Sequence, residues 1–130
     1  MGLAPRRVGA SQFLKPDVET SPLFARTFDF LDWLLPRAQT FPRPQRFVVT
    51  QRLQNAALDF QELIVDAEAA RGAARLERLR QADAALNKVR LYLRLCRGWN
   101  WLTPGQYQHA AQMIAEMGRL LGGWIKVTGT

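Results

Sequence analysis

The stretch VTQRLQNAALDFQELIVDA, residues Val49 to Ala67, places Val49, Leu53, Ala56, Phe60, Leu63 and Ala67 at spacings of 4, 3, 4, 3 and 4. Only a helix returns side chains to one face at that interval, so the stretch reads as an amphipathic helix with one apolar stripe. Pro44, just ahead of it in FPRPQRF, marks the start, because proline suits the first helical turn; Gly72 marks the end.

The same period recurs on both sides. Ser21 followed by Pro22 signals a helix start, and Phe24, Phe28, Leu31, Leu35 and Ala38 follow at helical spacing, to an end near Gln39. Pro36 lacks a backbone donor and is expected to kink or loosen the last turn after Trp33. A third helix runs from about Ala73 to Arg97, with Leu76, Leu79, Ala82, Leu86, Val89, Leu93 and Cys96 on one face, Leu91 and Leu95 widening it, and Gly98 as the stop. Thr103, Pro104 and Gln106 form a capping signature for a fourth helix, whose stripe is Tyr107, Ala110, Ile114, Met117, Leu121 and Trp124.

No segment alternates with the period of a strand, and short connections make successive helices antiparallel. The fold class is therefore all-α: an antiparallel up-down-up-down four-helix bundle over residues 21–127. Three helices with a swapped fourth are the alternative. Residues 1–20 contain Gly2, Pro5, Gly9 and Pro16 without a sustained period and read as a poorly structured, flexible N-terminal arm.

The 130 residues suffice for one domain. No apolar run approaches the roughly 20 residues of a membrane helix, and a secretory signal is not expected. The single cysteine, Cys96, excludes an intrachain disulfide and suits a cytoplasmic location. Formal charge is +7, and 15 of the 18 cations are arginine, whose planar fork matches phosphate and stacks on bases. That basicity is local. Between Asp32 and Asp59 the only charges are Arg37, Arg43, Arg46 and Arg52; between Asp83 and Glu116 they are Lys88, Arg90, Arg94 and Arg97.

Catalytic machinery is not expected. His109, the single histidine, falls off the apolar stripe and reads as an exposed, inert side chain; Cys96 falls on a stripe and reads as a small buried hydrophobe. Asp59, Glu62 and Asp66 share one helix face, but a di-iron bundle would need Glu-x-x-His pairs on two other helices, so these carboxylates read as a solvated or salt-bridged face. There is no Gly-rich phosphate loop and no Ser/His/Asp or Cys/His set. No cofactor and no metal are expected.

The bundle would bring Arg37, Arg43, Arg46, Arg94 and Arg97 to one end, with Arg90 extending the set down the third helix. Arginine at a helix start costs about 0.3–1 kcal/mol relative to a favourable charge, and a bound phosphate reverses that sign. Trp99 and Trp101, in CRGWNWL beside them, would either stack on unpaired bases or close the open end of the core or a subunit contact. The fourth helix also carries Ala111, Met113, Leu120 and Ile125 off its stripe and the small residues Gly118, Gly122 and Gly123. These suggest close helix approach and burial against a second subunit.

The segments LDWLLPRAQTFPRPQRFVVTQRLQNAALDFQELIVDA and KVRLYLRLCRGWNWLTPGQYQHAAQMIAEMGRLLGGWIK resemble the accessory variability determinant (Avd) proteins of diversity-generating retroelements, and more broadly the four-helix-bundle proteins related to those encoded in ribosomal RNA intervening sequences. The likeness spans roughly Phe28 to Lys126. It rests on the proline late in the first helix, FPR followed by QRF, LYLRL, LTPGQY and GRLLGGWI. The arm before residue 20 has no counterpart in it, and RGWNW is richer in tryptophan than the family pattern.

The resemblance implies a non-catalytic, basic homopentamer that associates with the reverse transcriptase of the same retroelement and with template-repeat RNA and cDNA, in support of mutagenic cDNA synthesis. Arg37, Arg43, Arg46, Arg94 and Arg97 take an electropositive contact role by the same likeness. The alternative is a bundle that acts as an oligomeric protein-interaction scaffold.

Overall fold

A computed structural model describes residues 21–130. The arm expected at 1–20 lies outside the described residues. Four helices make the fold: α1 (Ser21–Ala38), α2 (Gln51–Ala69), α3 (Gly72–Gly98) and α4 (Pro104–Gly129). A single 3-10 turn (Arg43–Gln45) and a π-helical turn (Arg46–Thr50) precede α2. There is no strand among the described residues.

Ring contacts fix the antiparallel order. At one end Phe24 of α1 meets Trp124 of α4 edge to face, with centroids 6.2 Å apart. At the other, Trp33 of α1 lies 5.3 Å from His109 of α4. Arg75, early in α3, sits over Trp124 at 5.7 Å, whereas Arg97, late in α3, sits over Tyr107 at 5.2 Å. Phe41 packs on Trp101 at 5.3 Å, so the α1–α2 and α3–α4 connections share one end. The fourth helix therefore packs within its own chain rather than being swapped out of it.

Each helix ends for an identifiable reason. Thr103 and Gln106 form the reciprocal capping box, with Gln106 N donating to Thr103 Oγ1 and Thr103 N donating to Gln106 Oε1, both at 3.0 Å. Gly72 adopts φ +56°, a left-handed conformation that side chains resist, and so permits the abrupt α2–α3 reversal. Arg75 closes the same turn: its Nε donates to the carbonyls of Ala67 and Ala70, and its Nη2 to that of Glu68. The Ala67 carbonyl also accepts from Ala70 N at 3.1 Å, and Arg75 supplies the further donors that the end of a helix lacks.

Pro36 lies inside α1, which continues to Ala38. Beyond it the chain tightens into i→i−3 bonds, from Gln39 N to Pro36 O, Thr40 N to Arg37 O and Phe41 N to Ala38 O. The entry to α2 differs from the continuous helix expected from Pro44. Pro44 offers no donor, the residue before the α-helix proper, Thr50, makes no side-chain cap, and the intervening turn is wider than α.

The core keeps the expected stripes of α3 and α4 from Leu79 to Cys96 and from Ala110 to Trp124, with Leu76 and Tyr107 half-buried. On α1 the expected Phe24, Leu31 and Ala38 are buried and Leu35 is half-buried, but the buried face is wider than expected: Leu23, Thr27, Phe30 and Leu34 also point inward, and Phe28 is 52% exposed. On α2 Ile64 is buried where Leu63 was expected; Leu63 is half-buried.

Candidate nucleic-acid interface

The end at which Phe41 meets Trp101 is where the arginines gather. Arg37 terminates α1, Arg43 begins the turn before α2, and Arg94 and Arg97 lie in the last turns of α3. Arg46 opens the π-helical turn at the same end. Arg43, Arg90, Arg94 and Arg97 are exposed, and Arg37 is half-buried. Arg119 pairs with Glu116 at 2.7 Å away from this end, whereas none of Arg37, Arg43, Arg90, Arg94 and Arg97 is in an ion pair with a carboxylate among the described residues.

Their settings differ. Arg37 is anchored: its guanidinium lies 4.5 Å over the Trp33 ring and its Nη1 donates to the Trp33 carbonyl at 2.9 Å. Trp33 in turn packs on the exposed His109, giving a continuous layer of cation, indole and imidazole that sequence periodicity does not reveal. Arg97 rests on Tyr107, and a guanidinium stacked on an aromatic ring keeps its edge donors available to an anion.

Arg90 donates to Asn87 Oδ1 at 2.7 Å and reaches across to α4. A Cβ built on Gly118 would come within 2.6 Å of its Nη2, so the glycine makes room for the arginine head. Gly122 and Gly123 have nothing within 4 Å, so within the chain only Gly118 serves the close helix approach expected of all three.

The tryptophans of the RGWNW loop divide their roles. Trp101 is half-buried against Phe41 and the core, while Trp99 is 44% exposed and meets Trp101 at a tilt of 49°, with centroids 5.0 Å apart. Asn100 between them takes φ +63°, a turn that places both rings on one side of the loop end. The end is thus a basic surface with one open indole face.

Cys96 is buried, and desolvation pushes its thiol up to about 11. Asp59, Glu62 and Asp66 are exposed and line an open groove between α2 and α3 of about 760 Å³, together with Arg52, Lys88 and Tyr92. No group of three or more His, Cys, Asp or Glu side chains is placed to hold a metal ion among the described residues. Nor is any helix among them long and apolar enough to cross a membrane.

A family model described as bAvd-like matches residues 23–128, the whole bundle from the first buried leucine of α1 to the last turn of α4. The chain belongs to the bAvd-like family. The fold expected from the Avd resemblance is therefore the fold found, and the family and the four helices together make it an accessory protein of the retroelement kind. A search of curated proteins gave no match.

Proposed function

We propose that this bAvd-like protein is a non-catalytic subunit that binds RNA and DNA and a retroelement reverse transcriptase, supporting template-repeat RNA-dependent mutagenic cDNA synthesis. One observation carries the reading. Arginines from three separate segments of sequence meet at one end of the bundle, with no carboxylate paired to any of Arg37, Arg43, Arg90, Arg94 and Arg97. A folded protein that left such a cluster uncompensated for no purpose would bear its mutual repulsion; a phosphodiester strand removes it.

In this reading Arg43, Arg94 and Arg97 contact phosphates, with Arg46 and Arg37 at the same end and Arg90 extending the track along α3. Trp99 offers its open face to an unpaired base. Sequence preference is small, because phosphate contacts position a strand without reading it. The barrel-shaped homopentamer implied by the Avd resemblance would multiply this surface fivefold around an axis.

The test is binding of a single-stranded RNA across roughly 50 to 500 mM salt, with the particle mass measured by light scattering on the same samples. Arg43→Glu with Arg94→Glu should flatten the salt slope by at least about 1.4, near 0.7 for each phosphate of a single strand that is no longer neutralised, with the mass unchanged. Equal binding and equal slopes for the two proteins would refute the phosphate role and leave the charge to serve a protein contact.

A further inference from the structure

Between α3 and α4, just below the basic end, lies a slot of about 250 Å³. Leu93 and Ile114 form its apolar floor, and Tyr107 and the small residues Ala111 and Ala115 its walls. Arg90 and Arg94, one helical turn apart on α3, stand at its rim. We infer that this slot receives one unstacked base of a single-stranded nucleic acid, with the phosphates on either side of it held by Arg90 and Arg94.

The occupant follows from the chemistry of the walls. The slot is smaller than the roughly 300 Å³ at which pockets for drug-sized ligands begin, and suits a flat heterocycle with part of its sugar. Its floor offers a flat group an escape from water, while two guanidinium groups at its mouth demand anions on both sides of that group. A nucleotide within a strand has that arrangement of an apolar-faced ring between two negative charges; a lipid tail or an apolar helix does not.

Neighbouring contacts hold the slot open. Arg97 lies over the ring of Tyr107 at 5.2 Å, which orients the tyrosine wall and adds a third cation along the strand's path. The Arg90 head is held to Asn87 and over Gly118, so it flanks the opening without filling it. Between Asp83 and Glu116 the sequence contains no acid to compete for these cations. The slot rests on the nucleic-acid reading above but is distinct from stacking on Trp99, since it lies between α3 and α4 and is lined by Ala115, whereas Trp99 lies in the connecting loop.

The experiment compares a short oligouridylate strand with an abasic strand of equal length, on the unmodified protein and on Ala115→Leu. Ala115 is exposed, and leucine is a good helix former, so the substitution fills the mouth of the slot without touching the core. The unmodified protein should prefer the intact strand by roughly tenfold, within what one stacked base is worth, and Ala115→Leu should lose most of that preference, while Ala115→Leu with Trp99→Ala should lose the rest.

Photo-crosslinking of a 4-thiouridine strand to the unmodified protein, with the crosslink located at residue level by fragmentation, should mark Tyr107. An undiminished preference in Ala115→Leu, or crosslinks confined to Trp99 and Trp101, would overturn the slot while leaving nucleic-acid binding intact. Displacement of the strand by an equal concentration of uridine monophosphate would overturn the assignment to a strand. Absence of binding by either strand at low salt would instead remove the parent reading, and the slot with it.

Discussion

Cys96 and Thr50 show how single buried groups set measurable limits on this bundle. Burial raises the Cys96 thiol from 9.0 to about 11, because the low-dielectric core disfavours the thiolate. Below pH 9 the thiol is protonated in the folded and unfolded chains alike, and its contribution to stability is fully present. As the pH climbs towards 11 the unfolded chain ionises first, so this contribution is lost. Urea unfolding from pH 8 to 11 should show the unmodified protein losing more stability than Cys96→Ala, whose slope lacks this component. Thr50 presents the opposite case, a buried hydroxyl with no hydrogen-bond partner. Thr50→Val keeps the shape and removes the unmet group, so it should stabilise by about 1 kcal/mol, read as a rise in melting temperature. A fall would mean that the hydroxyl is paired in solution.

Helix ends carry comparable weight. Thr103→Ala removes one half of the α4 capping box and should cost about 1 kcal/mol. Gly72→Ala forces a side chain into φ +56° and should cost about 1–2 kcal/mol although open space surrounds the position. Thermal unfolding of the two variants checks both figures. These ends were legible in the sequence because capping residues and turn glycines act locally. The stripes of α3 and α4 were legible because their apolar residues crowd one face. The inward face of α1 was legible only in part: Phe24, Leu31 and Ala38 are buried as expected, but Leu23, Phe30 and Leu34 share the core with them, and the polar Thr27 lies among these and hides their period. Thr27 is tolerated there because its Oγ1 donates to the Leu23 carbonyl at 2.8 Å, a bond periodicity cannot see. The adjacent pair Leu63 and Ile64 left a similar choice on α2, which only packing against neighbouring helices decides. At the basic end, antiparallel order sufficed to bring the arginines together, but the pairing of Trp33 with His109 and of Arg97 with Tyr107 depends on helix rotation and side-chain packing that spacing does not encode.

At the scale of the whole molecule, charge is separated from end to end. The connections α1–α2 and α3–α4 fall in the two acid-free windows of the sequence, whereas the α2–α3 turn is flanked by Asp66 and Glu68 on one side and by Glu77 and Asp83 on the other. Away from the basic end, Arg119 binds Glu116 through two hydrogen bonds and holds that carboxyl below the usual carboxylate range. Among the described residues the bundle is thus basic at one end and mixed elsewhere, although the +7 net charge of the chain alone does not say so. If net charge governed RNA association, reversing any two arginines would weaken it equally. If the uncompensated end governs it, position decides. Arg43→Glu with Arg97→Glu and Arg78→Glu with Arg80→Glu change the net charge by the same amount at opposite ends of the bundle. The first pair should lower RNA affinity at least tenfold near 100 mM salt and flatten its salt dependence, while the second should move affinity by no more than about twofold, since screening at roughly 10 Å leaves distant charges little influence. Equal weakening in the two variants, measured by fluorescence anisotropy at matched salt, would show that the protein attracts nucleic acid as a diffuse polycation rather than through one end.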